Sequence, residues 1–184
     1  MEMETEDYLA ELHAQKKRSA IMGIFVAAAC LVMVLIIFSG RAPDPREISW
    51  EKALSRAPAL ALTHEEKELA DDVLEHDIFR NALNYELVDN TRVFTLEATE
   101  AIIGSVLPEN CTVNEVAVVG AVVVIDYTLP QHRIILEYVD ADRSGTVDNI
   151  RKSVAPLIDG ASTGCYQMNH NLITGKIKCT YTKY

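Results

Sequence analysis

Val116-Ala117-Val118-Val119-Gly120-Ala121-Val122-Val123-Val124-Ile125 is the stretch whose reading decides the fold. Nearly every side chain in it is β-branched or small, and β-branching restricts χ1 in a way that suits the pleated backbone. Glu115 and Asp126 close the run at its two ends. It is too short to cross a bilayer, which takes about 20 helical residues, so it reads as buried strand. Gly120 marks a turn or bulge inside it. Working outward, Thr112 to Val119, Ala121 to Leu129 and Arg133 to Asp140 make three strands, the second turn falling at Pro130 to His132. In the third strand Ile134, Leu136 and Tyr138 alternate with Ile135, Glu137 and Val139, the period of a half-buried strand.

The third strand runs into Val139-Asp140-Ala141-Asp142-Arg143-Ser144-Gly145-Thr146-Val147-Asp148. Two readings meet here. As a chelating loop, Asp140, Asp142, Ser144, the Thr146 carbonyl and Asp148 fall at positions one, three, five, seven and nine of a calcium site, with Gly145 at the sharp turn in position six. Position twelve is Arg151, a cation where such a loop has its bidentate glutamate. As plain structure, Asp142 to Gly145 is a turn whose glycine takes the left-handed conformation and sends the chain back as Thr146 to Ile150. Arg151 favours the turn, leaving calcium as the alternative and no other cofactor expected.

A helix, three antiparallel strands and a Val139-Asp140-Ala141 to Ser144-Gly145-x-Val147 hairpin resemble the PepSY module over about Thr95 to Ile150. The family's final hairpin reads as a hydrophobic residue, Asp-Ala, a spacer, Thr or Ser, Gly, and an aliphatic. Here one extra residue precedes Ser144. The resemblance implies an extracytoplasmic module that binds or restrains partner proteins, peptidases among them, with no catalytic residues to carry over.

Upstream, Thr95 to Val106 reads as a helix with Leu96, Ala98, Ile102, Ile103 and Val106 as its apolar set and Pro108 as its stop. A second helix runs from about His64 to Asn84. Thr63 and Glu66 have capping-box spacing, and Leu69, Val73, Leu74, Ile78 and Leu83 recur at helical intervals. A short helix over Ile48 to Arg56 holds the single Trp50, behind a proline-bearing spacer from Gly40 to Arg46. Before it lies AIMGIFVAAACLVMVLIIF, Ala20 to Phe38, with Lys16, Lys17 and Arg18 at its amino end. The length matches a bilayer core and the basic triplet places the amino end inside, so the expectation is an uncleaved signal anchor.

The formal charge is −10, and only five of the 27 acids and three of the 17 bases precede residue 19. A surface this acidic repels phosphate backbones, which argues against nucleic acid as a partner. His64 and Glu65 are adjacent but lack the second histidine four residues on, so no zinc-helix motif forms. Cys111, Cys165 and Cys179 follow the apolar run; in an oxidising compartment Cys165 and Cys179 are the best pair, though a turn at Thr174-Gly175 does not set them opposite each other.

The expected layout is a cytoplasmic tail (1–18), a transmembrane signal anchor (19–39), a juxtamembrane linker with a short helix (40–62) and an extracytoplasmic domain (63–184). The fold class is α+β, two helices packed on an antiparallel sheet behind a single-pass membrane anchor. The expected function is a binding or regulatory protein at the cell membrane without catalytic activity, with lipid and an envelope protein as partners. A calcium-binding sensing or adhesion module and a small subunit of an envelope or secretion assembly stand as alternatives.

Overall fold

Gly120 takes a φ of +57° and, with Ala121, makes the two-residue turn that folds the valine-rich stretch back on itself. Val119 then lies opposite Val122, and the register continues to Val116 opposite Ile125. Glycine suits the turn because positive φ carries no Cβ penalty there. The computed structural model describes residues 45–83, 91–158 and 160–184.

In chain order the described elements are β1 (Arg46–Ile48), α1 (Trp50–Arg56), a 3-10 turn (Pro58–Leu60), α2 (His64–Asp72), α3 (Asp77–Arg80), β2 (Thr91–Phe94), α4 (Leu96–Ile103) and a second 3-10 turn (Gly104–Val106). Then come β3 (Thr112–Val119), β4 (Val122–Leu129), β5 (His132–Val139), β6 (Asn149–Ile158), β7 (Ala161–Ser162), β8 (Gly164–Asn171) and β9 (Ile177–Lys183). The sheet runs β1-β9-β8-β6-β5-β4-β3-β2, with β7 paired to the end of β6, and each of its pairings is antiparallel.

The expectation of two helices packed on a sheet is corrected by this architecture: nine strands dominate the described residues, and the longest helix among them has nine residues. The helix expected from His64 to Asn84 is two short ones as far as it is described, interrupted at His76, whose ψ of 126° is extended. Leu69, Val73, Leu74 and Phe79 are all buried, and at 100° per residue Phe79 would lie about 140° from Leu74 on one continuous helix. With the chain redirected at His76, Phe79 is fully buried and Ile78 half-buried against the same core, and the Phe79 ring meets Phe94 of β2 edge-on at 5.6 Å.

One face of the sheet is the core. Val116 and Val118, Val123, Ile125 and Tyr127, Ile134, Leu136 and Tyr138, Ile150 and Val154, Met168 and Cys179 are buried and in register across the strands. Each such side chain taken out of water contributes about 1.5–3 kcal/mol. The helices meet the sheet through this face. Thr63 and Glu66 form the expected capping box, Thr63 Oγ1 accepting the Glu66 N–H at 3.1 Å and the Glu66 carboxylate accepting the Thr63 N–H at 2.9 Å. The same carboxylate lies 2.7 Å from Lys152 Nζ, which projects from β6 into the core, and Tyr138 Oη donates to the Glu66 carbonyl at 3.0 Å. Lys152 is 3 % and Glu66 1 % exposed, so the pair fastens α2 to the middle of the sheet.

From Arg46 onward the chain is already built into the domain: β1 pairs with β9, and Ala53, Ala57 and Leu60 are fully buried. The single-pass membrane reading gains no support from the described residues. Among the described residues no helix is long and apolar enough to cross a membrane. The span assigned to 19–39, the tail to residue 18 and residues 40–44 lie outside the described residues.

Candidate functional site

The segment from Asp140 to Asp148 joins β5 to β6 and closes on its own carboxylates. Asp140 Oδ1 accepts the Ser144 N–H and its Oδ2 accepts the Gly145 N–H, both at 2.9 Å. Asp148 Oδ2 accepts the N–H groups of Ala141 at 2.6 Å and Asp142 at 2.9 Å, and Asp142 Oδ1 accepts the Ser144 N–H at 3.0 Å. Arg143 and Gly145 have φ of +62° and +87°, the left-handed turn conformation read from the sequence for the glycine. Ser144 Oγ and Thr146 Oγ1 are 2.8 Å apart. Of the five residues read as position-one to position-nine ligands, Asp140, Asp142 and Asp148 bring their carboxylates together.

Asp140 and Asp148 are 1 % and 4 % exposed, whereas Asp142 is exposed. One carboxylate oxygen from each of the three lies within 4.8 Å of the others, close enough to hold a cation. Converging backbone N–H groups offset the like-charge repulsion that this clustering creates. Hydrogen bonds from Ser144, through its side chain and then its backbone, hold the Asp142 carboxyl below its ordinary value. Arg151, at position twelve, lies in β6 in register with Glu137 of β5. Burial raises the Glu137 carboxyl and the Arg151 charge opposes the rise.

The proposed Cys165–Cys179 disulfide is absent: Cys111, Cys165 and Cys179 are the free cysteines among the described residues. Cys165 is opposite Thr182 and Cys179 opposite Met168 in the β8–β9 ladder. An offset of three residues puts the two thiols on opposite faces of the sheet, beyond any disulfide reach. Burial raises both thiols above their ordinary value, which keeps them protonated and poorly nucleophilic at neutral pH. His64 and His76 lie beside Glu68 at 3.1 Å and Asp72 at 3.8 Å, exposed or half-exposed pairs along α2 and its C-terminal end.

The face of the sheet turned away from the helices carries a second arrangement that sequence reading missed. Arg133 Nη2 and Nε reach Asp126 Oδ2 and Oδ1 at 2.5 and 3.1 Å, and Asn114 Nδ2 bridges Asp126 and Thr128 at 2.8 and 2.9 Å. Beside this network lies a cleft of about 350 Å³ among Arg133, Ile135, Ser153, Ser162, Cys165 and Tyr184. The signal was the hairpin register: once Thr128 faces Arg133, Asp126 is its diagonal neighbour, the usual reach of a long side chain across two strands.

No known protein family, curated protein or solved structure matches the chain. The resemblance to the PepSY module therefore rests on the helix, the three strands and Val139 to Val147.

Proposed function

We propose that residues 45–184 form a binding or regulatory module without catalytic activity of its own, and that a partner protein docks on the face of the sheet opposite the helices. The observation that carries this reading is the mixed character of that face. Val122, Val124 and Ile135 are half-buried on it and Val93 at its edge is exposed, while Arg133 and the 350 Å³ cleft lie next to them. Apolar side chains rimmed by polar ones are the usual make-up of a protein-binding patch. The PepSY resemblance points the same way. The test is affinity capture with the full-length chain, its Val124→Arg and its Ile135→Arg variants from the native source. Loss of one specific captured protein in both variants, with melting temperature kept, supports the docking face; equal capture by all three chains refutes it.

A cation-responsive loop is the second reading, favoured by the approach of the Asp140, Asp142 and Asp148 carboxylates to within 4.8 Å. Against it, these carboxylates already accept five loop N–H bonds and position twelve is Arg151. On the turn reading, millimolar calcium leaves the melting temperature unchanged. A rise that Asp142→Ala removes makes the loop a calcium site, by the mass action of a ligand that binds only the native state.

A further inference from the structure

Tyr127 projects from β4 into the core and is 1 % exposed, yet its hydroxyl has no hydrogen-bond partner among the described residues. The ring is buried, while the hydroxyl is not one of the fully buried unpartnered side-chain atoms and so opens to the space beside it. Its neighbour on the same face, Tyr138, shows the ordinary solution by donating to the Glu66 carbonyl. Tyr127 instead lines a cleft of about 330 Å³ between the Pro58–Leu60 turn and the sheet. Burial, then the nearby Glu66 carboxylate and Cys111 thiol, raises this phenol far above its ordinary value, so it stays a donor at any working pH.

The remaining lining explains what such a donor serves. Leu62, Val106, Pro108, Leu129 and Ile134 make the walls apolar. At one end sit Lys152 and Glu66, whose charges cancel: the ammonium reaches both Glu66 oxygens at 2.7 and 2.8 Å and the Ala61 carbonyl at 3.0 Å. A charged ligand would repel one member of this closed pair while gaining no free partner in the other. Small-molecule sites commonly have this volume and this composition, apolar walls with one or two placed polar groups.

We propose that this cleft binds a small uncharged amphipathic molecule, its apolar body against Leu62, Val106 and Leu129 and its polar head accepting a hydrogen bond from Tyr127 Oη. The site is distinct from the sheet face assigned to a protein partner and does not depend on that assignment. Octan-1-ol, octanoate and octylammonium share one tail and differ in head charge, which makes them the probes. Binding of each to the full-length chain is measured by saturation-transfer NMR, for the wild type and Tyr127→Phe. The alcohol is expected to bind the wild type more tightly than either ion, and Tyr127→Phe to weaken it about two- to tenfold, the worth of one neutral hydrogen bond. Partition of octanol elsewhere on the chain is the same in both proteins and drops out of the comparison. Leu62→Trp, which fills the cleft from its rim, should abolish the difference between wild type and Tyr127→Phe. Equal octanol affinity in wild type and Tyr127→Phe, or tighter binding of either ion, overturns the proposal.

Discussion

The two faces of one sheet handle charge in opposite ways. On the helix side a single lysine and a single glutamate are sealed in the core, each oxygen of Glu66 taken by Lys152 and one of them also by the Thr63 N–H. On the other side an exposed Arg133 pairs with the nearly buried Asp126, and Glu137 stands in register with Arg151. The lesson is that burial, more than the number of ion pairs, sets what a charge is worth. A sealed pair contributes little net stability over an apolar pair of the same shape, but losing one partner leaves an uncompensated charge in the core. An exposed pair contributes a few tenths of a kcal/mol and is lost cheaply.

The largest effect that separates the faces comes from adjacent residues. Val123→Asp places a charge on the core side and should cost about 4–5 kcal/mol in chemical denaturation, whereas Val122→Asp, half-buried on the other side, should cost about 1 kcal/mol. Similar losses would mean that helices do not cover one face alone. Next comes Lys152→Met, expected to destabilise by about 3–5 kcal/mol because Glu66 is left buried and unpaired. Adding Glu66→Gln should recover much of that loss; a double variant no better than the single one would show that the lysine acts by shape and not by charge.

Gly145→Val tests the loop at the rim of the two faces. With φ at +87° a β-branched residue is strained, and about 1–3 kcal/mol should be lost although nothing stands within 4 Å of the added Cβ. An unchanged denaturation midpoint would mean that the loop adopts another backbone. Glu137→Gln is the smallest. The folded-state value of Glu137 is raised, so the ionised carboxylate is disfavoured in the native state and stability falls as pH rises from the unfolded value through the folded one. The glutamine variant should therefore be up to about 1 kcal/mol more stable at neutral pH, with the gain fading in acid below the unfolded value. A gain that persists in acid would assign the effect to packing.

Much of the hairpin framework was legible because its determinants are local. The β-branched run around Gly120, the Thr63–Glu66 spacing and the Asp140 to Asp148 turn each carry their own physics within a few residues. What was hidden depends on residues far apart. Lys152 stands in the inward row of β6 between Ile150 and Val154, where a cation breaks the apolar alternation that would have announced a ten-residue strand. The helix break at His76 goes with the seating of Phe79 against Phe94 of β2, a contact only the packed sheet reveals. The Cys165–Cys179 pairing failed by strand parity, a quantity fixed by the register at Gly175 and not by the spacing of the cysteines. The Tyr127 cleft needs five separate segments at once, the stretch from the Pro58–Leu60 turn to Glu66, Val106 with Pro108, β4, Ile134 of β5 and Lys152 of β6.

The tie between Glu66 and Lys152 spans 86 residues of chain. During synthesis at about 5–20 residues per second, α2 leaves the ribosome several seconds before β6 exists to receive it. Until then the Glu66 carboxylate keeps its hydration, and docking the helix early would bury a bare anion. The helical layer thus gains its buried ion-pair partner only once β6 is in place, so a local element of this chain waits on a distant one.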